Sequence, residues 1–329
     1  MRGMTESSWS RKRERGSGAL IRFMSWLSLR LGWPVGFLLL FPISAYFFCF
    51  SGGARGASRR YLDRALGRPA TAADVFRHIF TFACVLLDRI FLLAGRLDRF
   101  RIEVTGLDHL LAATSGGGGC VLFGAHFGSF EALRAFGRNA PVRVNALMFR
   151  ANAGAYSQIM DRLDPRLRED IIEIGTPDSM LRVRDCIERG EIVGILADRT
   201  ACDRKAAAVP FLGEQAPFPT GPFTLAGALG VPVVLFFGIR KGNRHYEVRF
   251  EPFAEHVVLP AGDRAAALRD LAGRYAGRLE AQCRQNPYNW FNFYDFWARH
   301  PAKAIPAGGA RARDLDGAAR PGSSPVLAP

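Results

Sequence analysis

Three short runs, Cys120–Phe123, Ile192–Leu196 and Val231–Phe237, contain no charged and no strongly polar side chain. A strand that is apolar at every position must be covered on both faces. Where helical patterns separate such strands, a mainly parallel or mixed sheet with helices on its faces provides that cover. Weaker strand signals surround these runs, at Arg101–Val104, Val142–Ala146, Ile171–Ile174 and the alternating Tyr246–Phe250. Helical patterns fall between them: Gly106–Ala113, a helix capped by Ser129 and running through Phe136, and Tyr156–Leu163. Further patterns start at Asp178 or Ser179 and end near Gly190, follow the turn in Phe218–Gly230, and fill Arg264–Cys283. The expected fold class is therefore α/β, a mixed, mostly parallel sheet flanked by helices.

Ahead of this pattern stands a different kind of segment. Residues 1–31 are polar and basic at the start, with Arg11, Lys12, Arg13 and Arg15, and Gly32–Phe50 then carries no charge at all. Nineteen residues make a helix of roughly 28 Å, close to the thickness of a bilayer core. Pro34 suits a first helical turn, whereas Pro42 is expected to kink the segment. A spanning or deeply embedded anchor, a buried or one-leaflet hairpin, and a cleaved leader all fit this pattern, and the basic residues on both sides do not fix an orientation. Residues 71–97 read as an amphipathic helix that packs on the domain or lies on the membrane surface, or else as a core helix of the globular domain. The expected organisation is a basic segment over 1–31, an anchor over 32–50, a helical membrane-proximal region over 51–99, an α/β domain over 100–300 and a disordered tail over 301–329.

The formal net charge of +14 favours acidic partners, whether anionic phospholipid, nucleic acid or an acidic carrier protein. The six cysteines form no CxxC pair, so neither a zinc site nor a disulfide framework is indicated. The aromatic block Asn286–Trp297 has no basic stripe interleaved with it, which argues against nucleic acid. Its Trp and Tyr residues suit a membrane interface.

The stretch Phe123-Gly124-Ala125-His126-Phe127-Gly128-Ser129-Phe130-Glu131 follows directly on an apolar strand. Strand ends of this kind carry the sites of α/β sheets. On one straight helix His126 and Glu131 would lie roughly 140° apart, too far round for a hydrogen bond. With His126 in the turn and Glu131 in the next helix, the carboxylate can hold one imidazole nitrogen and leave the other to accept a proton. A capping histidine beside a solvated glutamate is the alternative that the residues alone leave open.

His126-x-x-x-x-Glu131 resembles the signature of the glycerolipid acyltransferase superfamily. More closely, the chain resembles the bacterial lipid A late acyltransferases, the lauroyl and myristoyl transferases. The likeness runs from the hydrophobic start to about Trp297. It rests on Gly124-Ala125-His126-Phe127-Gly128, Gly194-Ile195-Leu196-Ala197-Asp198-Arg199, Val209-Pro210-Phe211-Leu212-Gly213 and Pro219-Thr220-Gly221-Pro222.

The resemblance implies an acyltransferase moving a fatty acyl group from acyl-carrier protein or acyl-CoA to a hydroxyl, or an amine, of a membrane lipid or glycolipid. His126 would be the general base and Glu131 its orienting carboxylate, with no metal and no cofactor beyond the thioester co-substrate. Arg150, Asp198 and Arg199 would bind or order substrate, and Phe211 and Gly213 would line the acyl path. Such donors are cytosolic, so the resemblance implies a bacterial inner-membrane enzyme whose catalytic domain faces the cytoplasm. The C-terminal block Phe293-Tyr294-Asp295-Phe296-Trp297 departs from the tryptophan-then-arginine pattern of the lipid A enzymes and leaves the acceptor open. The competing reading is a non-catalytic basic protein that binds the membrane periphery with an acyltransferase-like fold.

Overall fold

The computed structural model describes residues 18–137, 143–148, 161–165, 169–175, 178–199 and 205–298. The start of the helix expected at Tyr156–Leu163, Arg150 and the tail from 301 lie outside these residues.

Seven strands form one sheet in the order β1-β9-β8-β2-β5-β3-β4. The strands are β1 (Arg101–Thr105), β2 (Cys120–Gly124), β3 (Val144–Met148), β4 (Ile171–Glu173), β5 (Ile192–Leu196), β8 (Val233–Gly242) and β9 (His245–Ala254). Every pairing is parallel except β8 with β9, which are joined by a tight turn. The two most apolar strands, β2 and β5, are neighbours near the middle, as full burial requires.

Successive side chains of β2 serve opposite layers. Val121 and Phe123 belong to the core that includes Leu271, Tyr275 and Leu279 of a long helix, Arg264–Gln285. Cys120 and Leu122 belong to the core beneath α5 (Leu107–Thr114) and α6 (Phe130–Gly137), with Leu110, Ala132 and Leu133. Further helices among the described residues of the domain are α7 (Ser179–Glu188), α8 (Gly221–Leu229) and the long one, α9. The segment that holds Phe211 and Gly213 is a hairpin of β6 (Ala206–Phe211) and β7 (Glu214–Pro219). Leu212 and Gly213 turn it with positive φ angles of 49° and 85°. The Leu212 N–H donates to Glu280 of α9 at 2.6 Å.

Four helices precede the sheet: α1 (Gly18–Leu31), α2 (Trp33–Phe50), α3 (Gly52–Leu66) and α4 (Ala72–Leu93). Helix α4 starts on a capping box, with the Thr71 side chain accepting from the Asp74 N–H and the Asp74 side chain accepting from the Thr71 N–H. It resolves the readings of 71–97: most of its apolar side chains are buried against the rest of the chain.

Helix α2 is, among the described residues, the one long and apolar enough to cross a membrane. It keeps Pro34 in its first turn and carries Pro42 inside. One face, with Trp33, Gly36, Leu40 and Ser44, is buried. Leu38, Phe41, Tyr46 and Phe50 stand out on the other, a row of large apolar side chains that suits association with lipid. The helix runs antiparallel to α4. Trp33 Nε1 donates to Asp88 at 2.6 Å, Phe37 meets Phe80, and Phe48 meets Phe76. Asp88 also accepts from Tyr246 Oη of β9 at 2.8 Å, so one buried carboxylate joins α2, α4 and the sheet.

Candidate active site

His126 and Asp198 come together through the sheet. Gly124 is the last residue of β2 and pairs with Leu196, the last residue of β5. Two residues further along each chain stand His126 and Asp198. Both strands run parallel, so both side chains emerge at the same carboxyl edge, as in open α/β sheets generally.

The Asp198 carboxylate is fully buried and accepts three hydrogen bonds. Oδ1 takes the one from His126 Nδ1 at 2.8 Å, and Oδ2 takes the His126 backbone N–H at 3.1 Å and the indole N–H of Trp290 at 2.9 Å. Burial by itself would raise this carboxyl. The charge of His126 and its hydrogen bond, then Arg199 and Trp290, outweigh it and hold the pKa at about 2. Asp198 is therefore an anion at neutral pH. Because it can only accept, the imidazole proton sits on Nδ1.

About 33% of the His126 side chain remains accessible, and among the described residues Nε2 has no hydrogen-bond partner. Burial of the ring and then the neighbouring Arg199 guanidinium lower the His126 pKa against the opposing pull of Asp198. The result is a neutral ring at pH 7 with its basic nitrogen turned away from its anchor.

The loop that carries His126 is fixed along its backbone. The His126 carbonyl accepts from Phe291 N at 2.8 Å, Gly128 N donates to Asn289 O at 2.8 Å, and Ser129 N donates to Gly238 O of β8 at 2.8 Å. Gly128 has φ +61°, and a Cβ there would lie 1.8 Å from the Gly238 carbonyl oxygen. Gly238 is equally restricted, with a Cβ position 2.0 Å from the Ser129 oxygen. Only glycine at both places permits this approach. Ser129 then caps α6, as the sequence predicts, its Oγ accepting from Ala132 N at 3.3 Å.

Glu131 does not hold the imidazole. It lies in the first turn of α6, is nearly buried, and pairs with Arg89 of α4 at 2.7 Å. The helix start directs it toward α4, whereas the strand register brings Asp198 to His126. The expected partner of His126 is thus corrected from Glu131 to Asp198, and Glu131 is seen to tie α6 to α4.

Of the other residues singled out, Arg199 sits beside the pair. Its Nη2 donates to the Phe291 carbonyl, its guanidinium lies 5.7 Å from the Tyr294 ring centroid, and its buried Nε has no hydrogen-bond partner among the described residues. Phe211 is fully buried with its ring 5.2 Å from that of Trp290. It packs behind the site, and Gly213 marks the hairpin turn. Arg150 lies outside the described residues. A wide groove of about 1240 Å³ between α9 and the hairpin, bordered by Gln215, Arg269, Arg274 and Arg284, contains none of the site residues.

Trp290 is the participant that sequence reasoning missed. Its aromatic block suggests a membrane interface, yet Trp290, Phe291 and Phe296 are buried in the core. Asn289 brackets β8, accepting from Arg240 N at 2.8 Å and donating to Arg240 O at 3.2 Å.

A neutral histidine braced by a buried carboxylate at a strand edge suits removal of a proton from a hydroxyl or amine. No curated protein matches the chain. The family model described as bacterial lipid A biosynthesis acyltransferase matches residues 78–299, which takes in most of α4, the whole sheet, and His126 and Asp198 with Trp290. The chain belongs to the bacterial lipid A biosynthesis acyltransferase family and is an enzyme of the acyltransferase type.

Proposed function

We propose that this acyltransferase moves a fatty acyl group from a thioester, acyl-carrier protein or acyl-CoA, to a hydroxyl or amine of a membrane lipid or glycolipid, with His126 as general base and Asp198 as its orienting group. The observation that carries this reading is the double grip of Asp198 on His126, through Nδ1 at 2.8 Å and the backbone N–H at 3.1 Å. The grip fixes both the tautomer and the direction of Nε2.

In the reaction, Nε2 takes the proton of the acceptor O–H or N–H as its heavy atom attacks the thioester carbonyl. A C–O or C–N bond forms and a tetrahedral oxyanion develops. The oxyanion collapses, the C–S bond breaks, and the departing thiolate takes the proton from Nε2. Asp198 remains ionised throughout and offsets the transient imidazolium charge. The buried, unpartnered Nε–H of Arg199 is a donor suited to a substrate oxygen, and Arg150 is a second candidate for a phosphate. Glu131 serves by anchoring α6 to Arg89 rather than by touching the base.

The apolar outer face of α2 and the net charge of +14 favour work at an anionic membrane surface. Cytosolic thioester donors favour an inner-membrane protein with its catalytic side toward the cytoplasm. The test is His126→Ala, expected to lower transfer by about 10²–10⁴-fold with membrane association intact. Lipid mass spectrometry of cells carrying that variant should show one lipid class lacking one acyl group. Wild-type turnover by His126→Ala would refute the base assignment.

A further inference from the structure

Behind Asp198 lies a chain of hydrogen bonds that reaches the N-terminal helices. The Trp290 indole N–H is spent on Asp198, while the Trp290 carbonyl lies 2.9 Å from Nε2 of His78, a fully buried residue of α4. A carbonyl only accepts, so His78 Nε2 carries the proton and donates it. Nδ1 of the same ring is then a lone pair, and it accepts from Ser58 Oγ of α3 at 2.8 Å. Burial lowers the His78 pKa to about 4, which leaves the ring neutral. Both nitrogens are engaged and the side chain is inaccessible, so His78 cannot touch a substrate.

The indole itself is clasped by rings. Tyr61 and Phe296 each stand 5.0 Å away, centroid to centroid, and Phe211 stands 5.2 Å away. The residues on either side of Trp290 hold the His126 loop, Asn289 through Gly128 and Phe291 through the His126 carbonyl. One short segment thus fixes the backbone of the base and the side chain of its partner.

We propose that Trp290 is a positioning residue of the acyl transfer, holding the Asp198 carboxylate in the rotamer that grips His126, and that His78 and Ser58 lock Trp290 in place. The inference rests on the reading of His126 as the base. The indole N–H occupies Oδ2 and tempers its basicity, and it opposes rotation of the carboxylate. Loss of that donor leaves a more basic carboxylate, which stabilises the imidazolium and raises the pH at which His126 loses its proton.

The full-length enzyme in lipid vesicles tests this with Trp290→Phe, which keeps a ring and removes the N–H. The expected result is a kcat about 10-fold lower, a KM for the thioester within about 2-fold, and an acid limb of the kcat profile about one pH unit higher. His78→Gln and His78→Leu form a second pair that leaves the indole intact. Gln can still donate to the Trp290 carbonyl and should restore the wild-type limb, whereas Leu should move it in the direction of Trp290→Phe.

An acid limb unmoved in Trp290→Phe would overturn the proposal whatever happens to kcat. If that variant does not fold, an unmoved limb in His78→Leu overturns it. A raised KM with unchanged kcat overturns it as well. Full turnover by His126→Ala refutes the underlying base reading, while an inactive His126→Ala with an unmoved Trp290→Phe limb removes the Trp290 proposal alone.

Discussion

Replacing Asp198 with asparagine isolates the role of the carboxylate from its shape. All three partners of Asp198 are donors: the His126 ring, the His126 N–H and the Trp290 indole. A carboxylate satisfies all three. An amide has one oxygen and one NH₂, so one position becomes donor against donor. The better arrangement keeps the amide oxygen where Oδ2 stands, because two N–H groups converge there. The NH₂ then faces Nδ1, and the imidazole must turn its lone pair to it. The ring proton moves to Nε2, the atom required to accept the substrate proton.

Two hydrogen bonds survive in that arrangement and a third reverses direction, so stability should change by only about 1 kcal/mol. Activity should fall by about 10³–10⁴-fold, as expected when a base is locked in the wrong tautomer. The assay is acyl transfer from a labelled thioester by the reconstituted enzyme, with a thermal melt alongside. Activity within 10-fold of wild type, in a protein that melts normally, would refute the tautomer argument and with it the place of Asp198 in the mechanism.

Gly128→Ala places a Cβ 1.8 Å from a backbone oxygen at a positive φ, and should cost several kcal/mol, on the order of 3 or more, seen as a large drop in melting temperature. Glu131→Gln should weaken the tie between α6 and α4 and lower both stability and kcat. The acid limb of the profile, which lies below the ordinary histidine value of 6.5, should stay where it is, because Glu131 does not contact the ring. Below that limb Nε2 is protonated and cannot accept, so activity falls as pH falls; an upward shift in Glu131→Gln would argue for direct coupling to His126. Leu38→Glu with Tyr46→Glu puts negative charge on the exposed face of α2 and should release the protein from anionic vesicles in a flotation assay, with thioester turnover in detergent preserved.

The sheet was legible because its strands are apolar at every position, and β2 and β5 fall where Cys120–Phe123 and Ile192–Leu196 predict. Helix α3 was not. Its sequence opens on Gly52-Gly53 and carries four arginines, and only the narrow stripe of Ala57, Tyr61, Leu62 and Ala65 betrays a buried face. The β6–β7 hairpin was hidden by its prolines and by Leu212, an unusual residue for a left-handed turn position. His126 could be found from its strand, but its partner could not be found by spacing. Asp198 is 72 residues away, and adjacency arises only when β2 and β5 pair. The one local hint was position: His126 and Asp198 each follow closely on an apolar run, three places beyond Phe123 and two beyond Leu196. Glu131 offered a nearer carboxylate, and nearness along the chain was the wrong measure. The role of Trp290 depends on a ring cluster assembled from α3, the hairpin and the C-terminal segment, so no single stretch could disclose it.

The buckle at Asp88 has a mechanical consequence. The first residue of α2 is fastened through that carboxylate to Tyr246 in the sheet, and the far end of the helix leans on the start of α4. The helix thus has a contact with the rest of the fold at each end. Its orientation is therefore coupled to that of the strands, and through them to the edge of the sheet where His126 and Asp198 stand.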